Sequence, residues 1–131
     1  MGLKEEILKT LESSDVALST AEIAAIHDIR LTAAYRRLTR LKMEGKVRMF
    51  RAWGRSFRVV RAFVLVPEPF FYANAYWFVR EEQLVKRLAR IFAKSTVRNA
   101  AYIVLKRHLG MPDEFVRKVQ EEVEKIRGTW F

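Results

Sequence analysis

The sequence predicts a mainly α-helical protein with a small β-hairpin in its N-terminal half and a helical extension in its C-terminal half. Near the N-terminus, three segments place apolar residues at helical spacing. Two strand-like runs follow, at 46–52 and 57–65. Residues 53–56 between them suit a hairpin turn, because Gly54 tolerates a positive φ. The spacing then becomes helical again after residue 79.

The predicted domain boundary lies at Pro67-Glu68-Pro69. Proline cannot pair in a central strand and disfavours helix just before it, so regular structure should stop there. Residues 1–66 are therefore predicted to form one domain, and residues 67–131 a helical extension. Within the extension, residues 70–79 form either the start of a helix or a buried extended segment, because this aromatic-rich run fits both.

The first two predicted helices cover residues 3–13 and about 20–27. Ser19 lies three residues before Glu22, which is the spacing of a capping box. In that motif the serine hydroxyl accepts a hydrogen bond from a backbone amide of the first helical turn, and the glutamate side chain accepts one from the serine amide. A third helix is predicted at about 31–44, and its apolar face carries Ala34, Leu38 and Leu41.

The net charge of +10 is concentrated in one segment. Residues 30–61 carry eleven Lys or Arg and a single acid, Glu44, whereas residues 1–29 contain more acids than bases. A solvated surface normally mixes both signs, so this segment has the electrostatic footprint expected for a polyanionic partner. A second basic stretch, 80–107, is predicted to be an ordinary solvated face, because its acids can pair along the helix with its bases.

The segment TAEIAAIHDIRLTAAYRRLTRLKMEGKV, residues 20–47, resembles the winged helix-turn-helix superfamily of bacterial and archaeal transcriptional regulators. A short helix, a tight turn and a recognition helix are followed by Gly45 and the β-branched Val47. The resemblance extends over residues 3–63. It implies a double-stranded DNA-binding protein, a transcriptional regulator, whose third helix enters the major groove beside a basic wing at about 47–62.

The outward face of the third helix carries the candidate base readers, which are Thr32, Ala33, Arg36 and Arg40. Arginine can fork onto guanine, and a methyl group can contact the methyl of thymine. The candidate phosphate contacts flank this face or lie on the wing, and they are Arg30, Arg37, Lys42, Arg51, Arg55 and Arg58. Strand alternation prevents all wing arginines from sharing one face. If roughly six to eight phosphates are neutralised, log K falls with log salt at a slope of roughly −5 to −7.

Two residues depart from the pattern of this superfamily. Arg30 occupies the N-cap position of the third helix, where Ser, Thr or Asn is usual. Tyr35 stands where a small residue is common, and it either packs beside the core or hydrogen-bonds a phosphate. Trp53, next to the wing turn, either caps the core or touches the DNA backbone.

The extension is predicted to form helices at about 80–93, 96–109 and 112–127. Regulators of this superfamily often dimerise through helices after the wing, so a homodimer that reads two half-sites is expected. The candidate interface residues are Phe71, Tyr72, Tyr76, Trp77, Leu84 and Leu88. The aromatic run suits a core or a subunit interface better than base stacking.

Composition argues against several other classes of protein. Half of the residues are apolar, which is enough for a packed core. Cysteine is absent, and His27 and His108 lack metal-ligand spacing, so no metal or other cofactor is expected. The sequence has no phosphate-binding glycine loop and no nucleophile motif, so no enzymatic activity is predicted.

The charged N-terminus does not resemble a signal peptide, and no apolar run is long enough to span a membrane. A cytoplasmic, nucleoid-associated protein is therefore expected. The shortage of Asn and Gln beside many Lys, Arg and Glu is typical of thermophiles. The alternative functions are an adaptor or architectural protein in a replication, partition or transcription assembly, and an RNA-binding protein. The sequence assigns no small-molecule effector.

Overall fold

Helices make up most of the computed structural model, which describes residues 2–52, 74–94 and 99–128. The described chain divides into two units. The first contains residues 2–52 and 74–84, and the second contains 85–94 and 99–128. Residues 74–84, which the sequence predicts as part of the extension, therefore belong with the N-terminal residues, because they supply a strand of the same sheet.

The first unit is built from three helices and a three-stranded antiparallel sheet. The helices are α1 (Leu3–Ser13), α2 (Thr20–His27) and α3 (Leu31–Met43). The strands are β1 (Leu18–Ser19), β2 (Arg48–Ala52) and β3 (Asn74–Phe78). The sheet order is β1-β3-β2, so the last strand in the chain lies in the middle. Helix α4 (Glu81–Ala93) begins in this unit and continues into the second.

The partner of β2 in the described sheet is not the strand that the sequence predicts. Met49 lies opposite Trp77, and β2 pairs along its whole length with β3. The predicted partner, 57–65, lies outside the described residues. The ambiguous run 70–79 contains an extended strand rather than the start of a helix. The two-residue period of a strand does not show in this part of the sequence. Ala75–Phe78 are buried on both faces of the sheet, so apolar residues do not alternate with polar ones.

Local helix signals in the sequence are confirmed. The core of the first unit contains the predicted inward residues of α3, namely Ala34, Leu38 and Leu41. At the start of α2, the Glu22 amide donates to Ser19 Oγ at 3.1 Å, and the Ser19 amide donates to Glu22 Oε1 at 2.8 Å. Gly45, just after α3, adopts a left-handed φ of +75°. Each of these features depends on residues close together in the chain, which explains why the sequence predicts them.

A buried glutamine joins the start of α4 to the end of α1. Gln83 is 0% exposed. Its Nε2 donates to the carbonyl oxygens of Leu11 and Ser14, at 2.8 and 2.7 Å. Its Oε1 accepts from the amides of Val79 and Arg80, at 2.8 and 3.1 Å. The side chain thus partners polar backbone groups at two helix ends, where helical hydrogen bonding is incomplete.

The regular elements described in the second unit are all helical. It contains the remainder of α4, then α5 (Ala100–Tyr102), a π-helical segment (Ile103–His108) and α6 (Asp113–Gly128). The predicted helix to residue 109 is therefore partly π-helical, which apolar spacing alone does not reveal. Helix α6 buries Phe115, Val119 and Val123. Across the described residues, no helix has both the length and the apolar character needed to cross a membrane.

The substitution Gln83→Leu should lower the free energy of unfolding by about 2–4 kcal/mol. Leucine removes the donor and the acceptor, so the carbonyl and amide groups at the two helix ends lose their partner. Urea unfolding followed by circular dichroism measures the change. Gln120→Leu on α6 is the control, because the Gln120 side chain forms no hydrogen bond with the described residues. It should shift stability by less than about 0.5 kcal/mol, and equal losses in both variants would contradict the role of Gln83.

Candidate nucleic-acid interface

A tight turn between α2 and α3 sets the direction in which α3 leaves the core. Asp28 adopts a left-handed backbone with φ +51°, and the Ile29 amide donates back to the Ala24 carbonyl at 3.0 Å. Arg30 then takes the extended N-cap conformation, and its side chain makes no capping hydrogen bond. The first turn of α3 contains no acid. Its amides are therefore not capped by a side chain at the N-cap position.

Most predicted contact residues around α3 are exposed, namely Arg30, Thr32, Arg36, Arg40 and Lys42. Ala33 and Arg37 are half-buried. The cations Arg30, Arg36, Arg37, Arg40 and Lys42 are called the basic face below. Because the opposite side of α3 is fixed in the core, the helix cannot turn this face inward without exposing buried leucines. Arg55 and Arg58 of the predicted wing, and Trp53, lie outside the described residues.

The cations of the basic face have no ion-pair partner within the described chain. Two lysines of the second unit, in contrast, form ion pairs. Lys106 pairs with Asp113 at 2.8 Å, and Lys125 pairs with Glu122 at 3.2 Å. Like charges on one helix face repel one another, and this repulsion opposes folding. An external anion would remove this repulsion.

Glu44, the single acid of the basic segment, is neutralised by two lysines. Its carboxylate lies 2.6 Å from Lys4 Nζ and 3.3 Å from Lys46 Nζ. The hydrogen bond from Lys4, followed by that from Lys46, holds the pKa of Glu44 below its usual 4.5 against the opposing effect of desolvation. Glu44 is therefore ionised at neutral pH, and its charge is directed to these lysines rather than to the arginines of α3.

Tyr35, one of the two departures from the predicted pattern, links α3 to the sheet. Its ring packs edge-on against Trp77, with centroids 5.9 Å apart. Its hydroxyl accepts a hydrogen bond from Arg51 Nη2 at 3.1 Å. Trp77 in turn donates from Nε1 to Thr20 Oγ1 at 2.8 Å. The first alternative for Tyr35, packing beside the core, is thus observed, and the predicted contact residue Arg51 is held next to α3.

The two described arginines of β2 lie on opposite faces of the sheet. Arg51 reaches Tyr35 on the helix-facing side, whereas the Arg48 guanidinium lies over the Phe78 ring, 5.2 Å from its centroid. Strand alternation predicts this separation. Only Arg51 of the two therefore joins the surface that contains α3.

Arg37 and Arg40 line a cleft whose opposite wall is Gly2 to Glu5 at the start of α1. Arg36 does not line this cleft. The sequence predicts that Arg36 and Arg40 project together. Arg40 is exposed and also lines the cleft, because it lies about 40° around the helix from Arg36, on the side towards Arg37.

The predicted dimer interface requires a correction. Tyr76, Trp77, Leu84 and Leu88 are buried within the chain, all at 3% exposure or less. They cannot contact a second copy while the chain keeps this structure. The reason is that the central strand β3 and the start of α4 are covered, and an aromatic-rich sequence does not distinguish a core from an interface. Phe71 and Tyr72 lie outside the described residues.

The His27 side chain lies between two helices of the first unit. His27 is within 2.9 Å of the Thr10 hydroxyl, a contact that joins α2 to α1. No group of three or more metal-ligating side chains occurs in the described ranges 2–52, 74–94 and 99–128. Comparison with protein-family models, curated proteins and solved structures finds no match to this chain.

The Glu44 ion pairs should make a small part of the stability pH-dependent. Because the folded-state pKa is lowered, the contribution is present above pH 4.5 and is lost as pH falls through the depressed pKa. Glu44→Gln should therefore flatten the acid side of the stability profile, more clearly at low salt than at high salt. Thermal unfolding across a pH series measures this. Glu12→Gln is the control, because the Glu12 carboxylate has no ion pair in the described chain. Superimposable profiles for Glu44→Gln and the unaltered chain would rule out the coupling.

Proposed function

We propose that this protein binds double-stranded DNA through the basic face of α3 and acts as a transcriptional regulator. The observation that carries the proposal is the absence of ion-pair partners for that face within the described chain. The charges are exposed on a helix whose opposite side is anchored in the core. The phosphate backbone of a duplex supplies the missing counter-charge.

The topology of the first unit supports a winged helix-turn-helix arrangement. In chain order it contains a helix, a strand, two helices and two strands, and the third strand lies between the other two. The tight left-handed turn at Asp28 leads directly into α3, as the turn of a helix-turn-helix does. In this arrangement α3 is the recognition helix, and β2 and β3 lead into and out of the wing.

The exposed residues of α3 have the chemistry for major-groove contact. Arg36 offers a planar fork for guanine O6 and N7, and Thr32 offers a hydroxyl and a methyl in the N-terminal half, which approaches base edges. Arg30, Arg37 and Lys42 flank this line and suit phosphates. Thr39 is less suited to reading bases, because its hydroxyl donates to the Tyr35 carbonyl at 2.8 Å.

A homodimer stays a prediction of the resemblance. Four of the residues assigned to its interface are buried, so a dimer would have to use another surface. Recognition of two half-sites at a fixed spacing requires such a dimer surface.

The second candidate function, an adaptor in a nucleic-acid assembly, is favoured by exposed apolar residues around α3. Met43 is 82% exposed, and Ile26 and Leu31 are 56% and 55% exposed. Apolar side chains among cations also suit an acidic protein partner. Duplex DNA remains the leading proposal because the cations on this surface outnumber the exposed apolar residues.

Arg36→Ala combined with Arg40→Ala should weaken binding to random-sequence duplex DNA by about 10-fold or more. The salt dependence should also become shallower, by roughly one unit of slope for each phosphate that the variant no longer neutralises. Fluorescence anisotropy across a salt series measures both quantities. The control combines Arg117→Ala with Lys125→Ala, which removes the same charge from residues paired with Glu121 and Glu122.

Equal losses in the two double variants would mean that net charge, and not the basic face, determines binding. If the unaltered chain does not bind duplex DNA at low salt, the proposal is wrong. Competition with duplex RNA and with an acidic polypeptide distinguishes the alternatives, since the preferred ligand should displace the labelled DNA.

A further inference from the structure

The contact between Tyr35 and Arg51 has hydrogen-bonding capacity that the fold does not use. The Tyr35 hydroxyl accepts from Arg51 Nη2, which leaves its own proton available to an acceptor. No second hydrogen bond of this hydroxyl or of the Arg51 guanidinium occurs within the described residues. Tyr35 is 41% exposed, and Arg51 is exposed as well. Both groups therefore present donors to solvent from adjacent positions.

The Tyr35 hydroxyl is held in place by the core. The ring edge contacts Trp77, which is 1% exposed and hydrogen-bonded to Thr20. A long arginine normally loses much side-chain entropy when it is fixed in one geometry. Here the tyrosine hydroxyl already restrains Arg51 before any ligand arrives, so less freedom remains to be lost on binding.

We propose that Tyr35 Oη and the Arg51 guanidinium form a two-donor site for a single phosphate of the DNA backbone. This inference rests on the proposed function and deepens it. The two donor groups lie 3.1 Å apart, so both can reach oxygens of the same phosphate. A phosphate oxygen accepts readily from a hydroxyl and from a guanidinium, and the positive charge supplies the electrostatic attraction.

The site lies beside the basic face and extends it. Arg51 stands on β2 and reaches across to α3, whereas Arg48 of the same strand lies on the other side of the sheet. Strand alternation places Arg51 on the α3 side of the sheet, and the Tyr35 hydroxyl then holds its guanidinium beside α3. In this role Tyr35 contacts the phosphate and also positions Arg51.

The experiment compares Tyr35→Phe with Tyr102→Phe. The first change removes only the hydroxyl and keeps the ring on Trp77. The control removes the hydroxyl of a tyrosine whose residue exposure, 40%, matches that of Tyr35 and which has an arginine, Arg107, over its ring. Tyr35→Phe should weaken duplex binding about 3- to 10-fold and make the salt slope shallower by up to about 0.9, because Arg51 is no longer held. Tyr102→Phe should leave both unchanged.

Arg51→Ala should weaken binding at least as much, and the double variant should lose less than the product of the two single effects. The difference in affinity between Tyr35→Phe and the unaltered chain should shrink when neutral methylphosphonates replace part of the duplex phosphates, because the lost contact is to a phosphate. Unchanged affinity and slope in Tyr35→Phe would overturn this site. If only this site is wrong, Arg36→Ala combined with Arg40→Ala still weakens duplex binding while Tyr35→Phe does not. If no variant weakens duplex binding, the proposed function is wrong as well.

The melting temperature of Tyr35→Phe should match that of the unaltered chain, and a marked drop would assign the hydroxyl a structural role instead.

Discussion

The hydrogen bond from the Trp77 indole to the Thr20 hydroxyl is the contact on which the arrangement of the first unit depends. Trp77 lies in the central strand, paired with β1 through Leu18 and with β2 through Met49. Its N–H would lack a partner in the core without Thr20, and an unpaired buried donor costs about 1–3 kcal/mol. The same ring contacts Tyr35 of α3. One buried side chain thus relates the sheet, α2 and α3 to each other.

This anchoring separates the folding role of α3 from its surface role. The buried side contributes packing, while the exposed side carries cations that repel one another and have no internal counter-charge in the described chain. The nearby acid, Glu44, is already bound by Lys4 and Lys46. Stability therefore comes from the core and from the Gln83 hydrogen bonds, and the basic face is free to meet an anionic ligand.

Features that depend on neighbouring residues could be predicted from the sequence. The Ser19–Glu22 capping box, the Gly45 stop and the apolar face of α3 are all present. The pairing of β2 with β3 could not be predicted, because a turn signal at 53–56 favours the next strand-like run, which lies outside the described residues. Such a signal carries no information about a more distant strand. The sequence predicts Tyr76 and Trp77 as interface residues, whereas both are buried within the chain, because aromatic composition does not reveal what covers a residue.

The sequence by itself determined where helices begin and end and where positive charge gathers, because both follow from short-range spacing and composition. Only the tertiary structure decided that β3 lies between β1 and β2, and that Tyr35 restrains Arg51. These contacts join residues far apart in the chain, and each depends on how separate elements pack together. The sequence marks Tyr35 and Arg51 as separate candidates, and only the fold makes them neighbours.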